Sequence, residues 1–410
     1  MRLQTKILFL FIVIIKIIFA NTNKPVLSGL DVIAEDNYKL FANKNIGIIC
    51  NHTSVDKNGK HIVDVLHSKC NVKAIFAPEH GFRGEKAAGA KILNGKDIKT
   101  GIDILSLYGK IKKPTKEMLK DIDILVYDIQ DVGVRFYTYI STMAYCMEAA
   151  AQFNLDFIVL DRPNPIRGDI VEGPSLGLQY KSFVGMFAIP IRYGLTVGEF
   201  ASYINEEHLL QDSLKTNLQI IKMKNWKRSS WYDETGMKWI APSPNIPNLE
   251  TAIVYPGMCF LEGTNLSEGR GTDTPFLLFG APWLNNRKIV NILTTSELKG
   301  ETYTIEDFTP KGLKGKAYNP KFEGQLCKGI RIKVINRDSY NAIESVAKIL
   351  DLIHKEHPGN FKWREHFIDL LSGNIEFRTS INNNKLDTFI KTWKQTESKF
   401  KKESQKYYIY

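Results

Sequence analysis

Short apolar runs that break abruptly into polar loops recur along the first half of the chain. Ile46 to Cys50 leads into Asn51-His52-Thr53, and Val72 to Phe76 leads into Ala77-Pro78-Glu79-His80-Gly81-Phe82-Arg83-Gly84. Ile122 to Tyr127 leads into Asp128-Ile129-Gln130-Asp131-Val132-Gly133, and Phe157 to Leu160 into Asp161-Arg162-Pro163-Asn164-Pro165. Runs of this kind read as strands buried on both faces, as in parallel sheets. Helical spacing lies between them: Ile62, Val65 and Leu66 share one face, and Met143, Met147 and Ala150 another. Strand and helix in alternation predict right-handed βαβ crossovers, hence an α/β fold with a Rossmann-like, mainly parallel sheet and flanking helices.

Thr196-Val197-Gly198-Glu199 has the form of a capping box opening a helix over Phe200 to Ile204, which gives Glu199 a structural task rather than a catalytic one. Leu218 to Met223 predicts a further strand. The Pro-rich stretch Ala241 to Asn248 reads as a rigid, extended hinge. Beyond it, a strand at Gly329 to Ile335 and helices at Ala342 to His354 and Leu386 to Lys402 predict a smaller C-terminal α+β domain. The expected division is therefore 25–248 and 249–410, and a chain of 410 residues suits two domains.

Composition narrows the function classes. A hydrophobic content of 43% belongs to a folded chain, and the net charge of +11 would favour an anionic partner. No Lys/Arg block with interleaved aromatics occurs, so nucleic acid is not the expected partner. Met1 to Ala20 has a basic start and an apolar stretch from Ile7 to Phe19, the pattern of a secretory signal peptide. Lys16 interrupts that stretch, so no stable membrane insertion is expected after cleavage, although retention as an N-terminal anchor is the competing reading. The expected location is periplasmic or secreted. The five scattered cysteines show neither a zinc spacing nor a disulfide framework and read as buried small hydrophobes.

Carboxyl ends of strands are where open α/β sheets bind ligands, and here they carry Asn51, His80, Asp128, Asp161, Arg162 and Asn164. Glycosidic hydrolysis needs a carboxylic acid kept protonated by its surroundings, and usually a second carboxylate. Glu79 is the candidate acid, with Phe76, Pro78 and Phe82 available to desolvate it, and Glu172 in Val171-Glu172-Gly173-Pro174 is the candidate partner. Arg83, Arg135 and Arg270 are candidate anion clamps, because guanidinium binds carboxylate bidentately. Tyr137 adds an aromatic face for a sugar, while Phe136 and Tyr139 are either that or core packing. His52, His80, Asp128, Asp131 and Asp161 are metal-ligand types without a close-spaced signature, so no metal is expected. Acyl transfer lacks a Gly-x-Ser-x-Gly elbow, and a dinucleotide cofactor lacks Gly-x-Gly-x-x-Gly after the first strand. No cofactor is expected.

The segments Pro78 to Gly84, Ser106 to Gly109, Asp128 to Tyr139, Asp161 to Pro165, Val171 to Pro174, Pro242 to Asn245, Glu262 to Thr272 and Gly280 to Trp283 together resemble the NamZ-like exo-β-N-acetylmuramidases. The similarity runs in order over nearly the whole chain after the leader. It implies an active site in a cleft between the two domains and release of N-acetylmuramic acid from the non-reducing end of muramyl oligosaccharides, without a metal. It carries the Pro-Glu-His-Gly glutamate over to Glu79. Asn245, Glu268 and Arg270 fall within the resembling segments and are taken as substrate-binding candidates. Two departures stand out: Arg167 where a second glycine is expected before Gly168, and Tyr193-Gly194-Leu195-Thr196 in place of His-Gly-Met-Thr. The substrate's own N-acetyl group also opens a route in which its amide is the nucleophile. The same residues admit a non-catalytic muropeptide-binding protein or a metal-dependent amino-sugar deacetylase as rival readings.

Overall fold

The computed structural model describes residues 24–79, 81–83 and 94–410; the leader, His80 and Gly84 lie outside the described residues. In chain order the elements of the first half are α1 (Gly29–Glu35), β1 (Asn45–Cys50), α2 (Ile62–His67), β2 (Asn71–Ala77), β3 (Gly95–Lys96), β4 (Asp103–Ser106), β5 (Ile124–Asp128), α3 (Tyr139–Gln152), β6 (Asp156–Leu160), α4 (Val197–Glu206) and β7 (Asn217–Ile221). The second half comprises α5 (Leu249–Met258), β8 (Leu278–Ala281), α6 (Asn286–Thr294), β9 (Glu301–Ile305), β10 (Lys328–Val334), α7 (Ala342–Glu356), α8 (Glu365–Ser372), α9 (Glu376–Asn382) and α10 (Leu386–Ser404).

Among the described residues β1 to β7 form one sheet in the order β3-β4-β2-β1-β5-β6-β7, parallel throughout except at β3. Alternation along β1 shows why its run is apolar at every position. Ile46, Ile48 and Cys50 pack with Leu30 of α1 and with Ile62, Val63 and Leu66 of α2. Ile49 points to the other face, where Met143 and Met147 of α3 and Phe200 and Ile204 of α4 cover the sheet. The capping box of α4 is present as expected: the Thr196 side chain accepts from Glu199 N–H, and the Glu199 side chain accepts from Thr196 N–H.

The smaller sheet is antiparallel, in the order β8-β10-β9. Helices α5 and α7 pack closely beside it, and Gly257 makes this possible, since a Cβ there would lie 1.9 Å from the Ala342 carbonyl oxygen. The stretch Ala241 to Asn248 is not a free linker. Pro242, Ser243, Asn245 and Ile246 are buried in it, because a single apolar cluster continues from the first half into the second. Phe136 lies 5.6 Å from Tyr255 and 6.3 Å from Phe260, ring to ring. All five cysteines are free, and all but Cys70 are buried. Among the described residues no helix is long and apolar enough to cross a membrane.

Burial leaves a pH signature. It raises the carboxyls of Asp131, Asp161 and Glu301 to about 7 and that of Glu397 to about 8. Such a group keeps its proton in the native state between its unfolded and folded pKa, so unfolding releases that proton and stability falls as pH rises through the window. Buried His61 is shifted down by desolvation and opposes this trend, but on the acid side of its ordinary value. The calorimetric Tm is therefore expected to fall from about pH 5 to about pH 8 and to level off above; a flat or rising profile would contradict the burial of these four groups.

Candidate active site

Strands β2 and β4 are parallel neighbours with Ala77 opposite Ser106. Two residues further along each strand stand Glu79 and Tyr108, so the sheet register itself brings them together. The Tyr108 hydroxyl donates to Glu79 Oε1 at 3.1 Å. A turn closed by Gly81 N–H donating to the Pro78 carbonyl at 3.1 Å reverses the chain here. Gly81 has φ +71°, a conformation that glycine adopts without steric cost.

Glu79 faces a cavity of about 450 Å³ whose walls come from both halves of the chain. The first half contributes Tyr108, Phe136 and the start of α3 with Tyr137, Thr138 and Tyr139, together with Phe183 and Val184. The second contributes Ser243, Asn245, Ile246, Tyr255, Glu262, Arg270, Phe276 and Phe367. Tyr137 stands edge-on to Tyr139 at 5.1 Å and to Tyr255 at 6.0 Å, which makes one wall aromatic and stiff. Asn245 is aimed by its Nδ2 donating to the Lys316 carbonyl at 3.0 Å. Arg270 Nη2 donates to Glu262 Oε1 at 2.7 Å, and its Nε lies 3.6 Å from Glu268 Oε1. Its guanidinium also lies 5.3 Å from the Phe276 ring centre.

Electrostatics follow from this packing. Burial, and then the adjacent Glu79 carboxyl, push the Tyr108 phenol up, so it remains a donor to Glu79 at any physiological pH. The same two causes raise Tyr139. Burial opposes the charge of Arg270, but Glu262 and Glu268 outweigh it and hold the guanidinium firmly protonated. Among the described residues no three His, Cys, Asp or Glu side chains converge as a metal ligand set.

Of the residues singled out from sequence, Glu79, Tyr137, Asn245 and Arg270 line this cavity; His80 lies outside the described residues. Phe136 and Tyr139 line it too, whereas the remaining candidates do not, and each of those has protein partners that explain its position. Glu172 is buried and ion-paired with Arg192 at 3.2 Å, so it is not the carboxylate facing Glu79. Asp128 and Arg162 neutralise each other, with Arg162 Nη2 donating to Asp128 Oδ2 at 2.9 Å and Nε donating to Oδ1. Asp161 accepts from Tyr410 OH and Thr196 OH, both at 2.7 Å, and from Gly198 N–H at 2.8 Å, so it fastens the C-terminus to the sheet. Asn164 bridges loops by donating to the Leu195 carbonyl at 3.0 Å. Asn51 Oδ1 braces its own turn by accepting from Thr53 N–H and OH at 2.9 and 2.6 Å, while its side chain stands beside the Tyr139 phenol.

The arginines divide in the same way. Arg83 is held by Asp97 at 2.9 Å and Asp64 at 3.3 Å, outside the cavity. Arg135 is buried and staples two loops to the last turn of α8 by donating to the carbonyls of Pro174, Ile189 and Leu371 at 2.8, 2.8 and 2.9 Å. Burial lowers its pKa to about 9. Glu268 stands behind the wall, paired with Lys321 at 3.1 Å and near Arg270. Both sequence departures also lie outside the cavity. Arg167 takes the left-handed φ of +75° that explains the expected glycine, and is secured by Asp169 and Asp338, each at 2.7 Å. The Tyr193 hydroxyl donates to Asp131 Oδ1 at 3.0 Å.

Sequence reasoning did not single out Glu262, Tyr108 or Tyr255. Tyr108 was findable, since it follows its strand by the same two residues as Glu79 follows β2. Glu262 was not, because its approach depends on how the second half docks.

A glutamate held by a tyrosine, aromatic walls and an arginine make this cavity the candidate glycoside-hydrolase cleft of the chain. The comparisons agree. Residues 46–250 match the family described as exo-beta-N-acetylmuramidase NamZ, N-terminal, and residues 253–410 its C-terminal counterpart. The chain belongs to the NamZ exo-β-N-acetylmuramidase family. It is 43% identical over 392 residues to peptidoglycan beta-N-acetylmuramidase NamZ of Bacillus subtilis (strain 168), covering 94% of this chain and 92% of that one. Two crystal structures of DUF1343 family proteins from Bacteroides fragilis are similar, at TM-scores of 0.87 and 0.77 and identities of 37% and 34%. Each match covers 94% of this chain and 99% of the other.

Proposed function

We propose that the protein is an exo-acting β-N-acetylmuramidase that releases N-acetylmuramic acid from the non-reducing end of peptidoglycan fragments. The observation that carries this reading is Glu79 and Arg270 lining one sugar-sized cavity, in a chain of this family. Glu79 is the general acid. The Tyr108 hydroxyl holds its carboxyl in place through Oε1, and the carboxyl delivers its proton to the glycosidic oxygen as the bond breaks. Glu262 is the second carboxylate of the cavity, positioned to steady the developing oxocarbenium charge or the water that quenches it. Arg270, its plane fixed by Glu262, has further N–H groups to donate to the lactyl carboxylate that distinguishes muramic acid from glucosamine. The basic, apolar leader in the sequence supports a site of action outside the cytoplasm, where such fragments arise.

The test is turnover. Purified protein should release free N-acetylmuramic acid from the MurNAc-GlcNAc disaccharide with and without chelator. A tight binder without turnover, or acetate as product, would overturn the reading in favour of a carrier or a deacetylase. Arg270→Lys keeps the charge but loses the planar fork, and a charge-assisted hydrogen bond contributes about 1.5–3 kcal/mol. Its KM for the disaccharide is expected to rise about ten- to a hundredfold, while that for a substrate lacking the lactyl group changes little. Equal effects on both substrates would remove Arg270 from the role of acid reader.

A further inference from the structure

A larger cavity, of about 800 Å³, lies on the other side of the segment that walls the Glu79 cleft. Ile240 lines it, whereas Ser243, Asn245 and Ile246 line the cleft. The segment between is pinned by a 2.7 Å hydrogen bond between His52 Nε2 and the Ala241 carbonyl, and by Tyr139 OH donating to the Pro242 carbonyl at 3.1 Å. The cavity opens where Thr53, Gln130 and Arg162 follow β1, β5 and β6. From β1 the chain builds outward through β2 to one edge, then returns to place β5 on the opposite side of β1. That reversal is a topological switch point, where open α/β sheets form their ligand crevice. The hydrolytic reading uses the end of β2 and leaves this crevice without a task.

The charges around it select the ligand. Lys24, Lys57 and Lys238 are exposed at the rim and form no ion pair among the described residues. The acids are already engaged: Asp56 Oδ1 accepts from Asn58 and Lys60 N–H at 2.9 and 2.8 Å, and Asp31 accepts from Ser28 and from Lys57 N–H. Arg162 is neutralised by Asp128. The rim therefore carries surplus positive charge. In the wall, Gln130 commits its amide hydrogens to the Asp131 and Pro163 carbonyls at 2.9 and 2.8 Å, and its Oε1 has no protein partner. Gln130 is thus held rigidly in the wall by these two bonds.

We infer that this crevice is a second, non-catalytic site for a small carboxylate. A sugar acid and a short acidic peptide share that chemistry, and the volume is in the usual range for such ligands. The inference goes beyond the hydrolytic reading and does not require turnover.

Titration calorimetry on the full chain tests it, with N-acetylmuramic acid and L-alanyl-D-glutamate as separate probes. Arg270→Lys should keep a binding event that Lys57→Glu/Lys238→Glu weakens by at least about tenfold, because like charge then faces the carboxylate. Met237→Trp, which fills the cavity without changing charge, should weaken the same event. The probe that shows this behaviour identifies the source. If neither probe gives an event that depends on Lys57, Lys238 and Met237, the site does not exist as inferred; sensitivity to Arg270 alone would assign all binding to the Glu79 cleft.

Discussion

Glu79→Gln is expected to lower kcat/KM for the MurNAc-GlcNAc disaccharide by about two to four orders of magnitude, the usual contribution of general acid catalysis. The substitution keeps the side-chain shape, and the amide oxygen can still accept from Tyr108 OH, which reaches Glu79 Oε1 at 3.1 Å in the native protein. What is lost is the proton that must reach the leaving oxygen as the glycosidic bond breaks. Substrate affinity should therefore change far less than rate, and Tm should stay close to that of the unaltered protein. Steady-state kinetics with a circular-dichroism melt separate the two effects. A loss below about tenfold with an intact fold would mean that another group protonates the leaving sugar, and Glu262 would become the first alternative.

Asp128→Ala is expected to cost about 3–5 kcal/mol of stability, because breaking a buried ion pair leaves the other charge uncompensated. Asp128 is fully buried at the end of β5, and Arg162 at the end of β6 is 3% exposed. Their neighbouring strands are in parallel register, with Tyr127 opposite Val159, so the pair closes across the sheet edge. Urea denaturation should show a lower midpoint at similar slope. Asp128→Ala/Arg162→Met should recover much of the loss, since the orphaned guanidinium is then gone. A stable Asp128→Ala protein with weakened substrate binding would instead return both residues to the list of substrate ligands.

The elements were legible to different degrees. Apolar runs identified β1, β2, β5 and β6, since burial on both faces leaves few polar positions in a central strand, while β7 was read from a less apolar run and is a half-exposed edge strand. The capping box at Thr196 and Glu199 was readable because it is local chemistry between residues three apart. Glu79 was readable because it ends a strand, and strand ends converge on one edge of a parallel sheet. Asp128, Arg162 and Asp161 end strands too, yet the structure does not bring them to the Glu79 cavity. They lie across the sheet from β2, where their nearest charged or hydroxyl neighbours are each other, Thr196 and Tyr410. Arg135 sits among Arg-and-aromatic residues that suggest a sugar face, yet it serves backbone carbonyls about 40, 50 and 240 residues away in the chain.

By itself the sequence determined the layered α/β architecture, the glutamate at the end of β2 and the family, because periodicity, turn residues and long motifs are properties of neighbours along the chain. Only the tertiary structure decided which charged groups share the cavity with Glu79. Glu262 and Arg270 come to line the Glu79 cavity through the docking of the second half, and Glu172 is paired with Arg192 instead. A carboxylate or guanidinium takes its role from the nearest opposite charge in space, and over this chain that partner is set by packing across the cleft rather than by order in sequence.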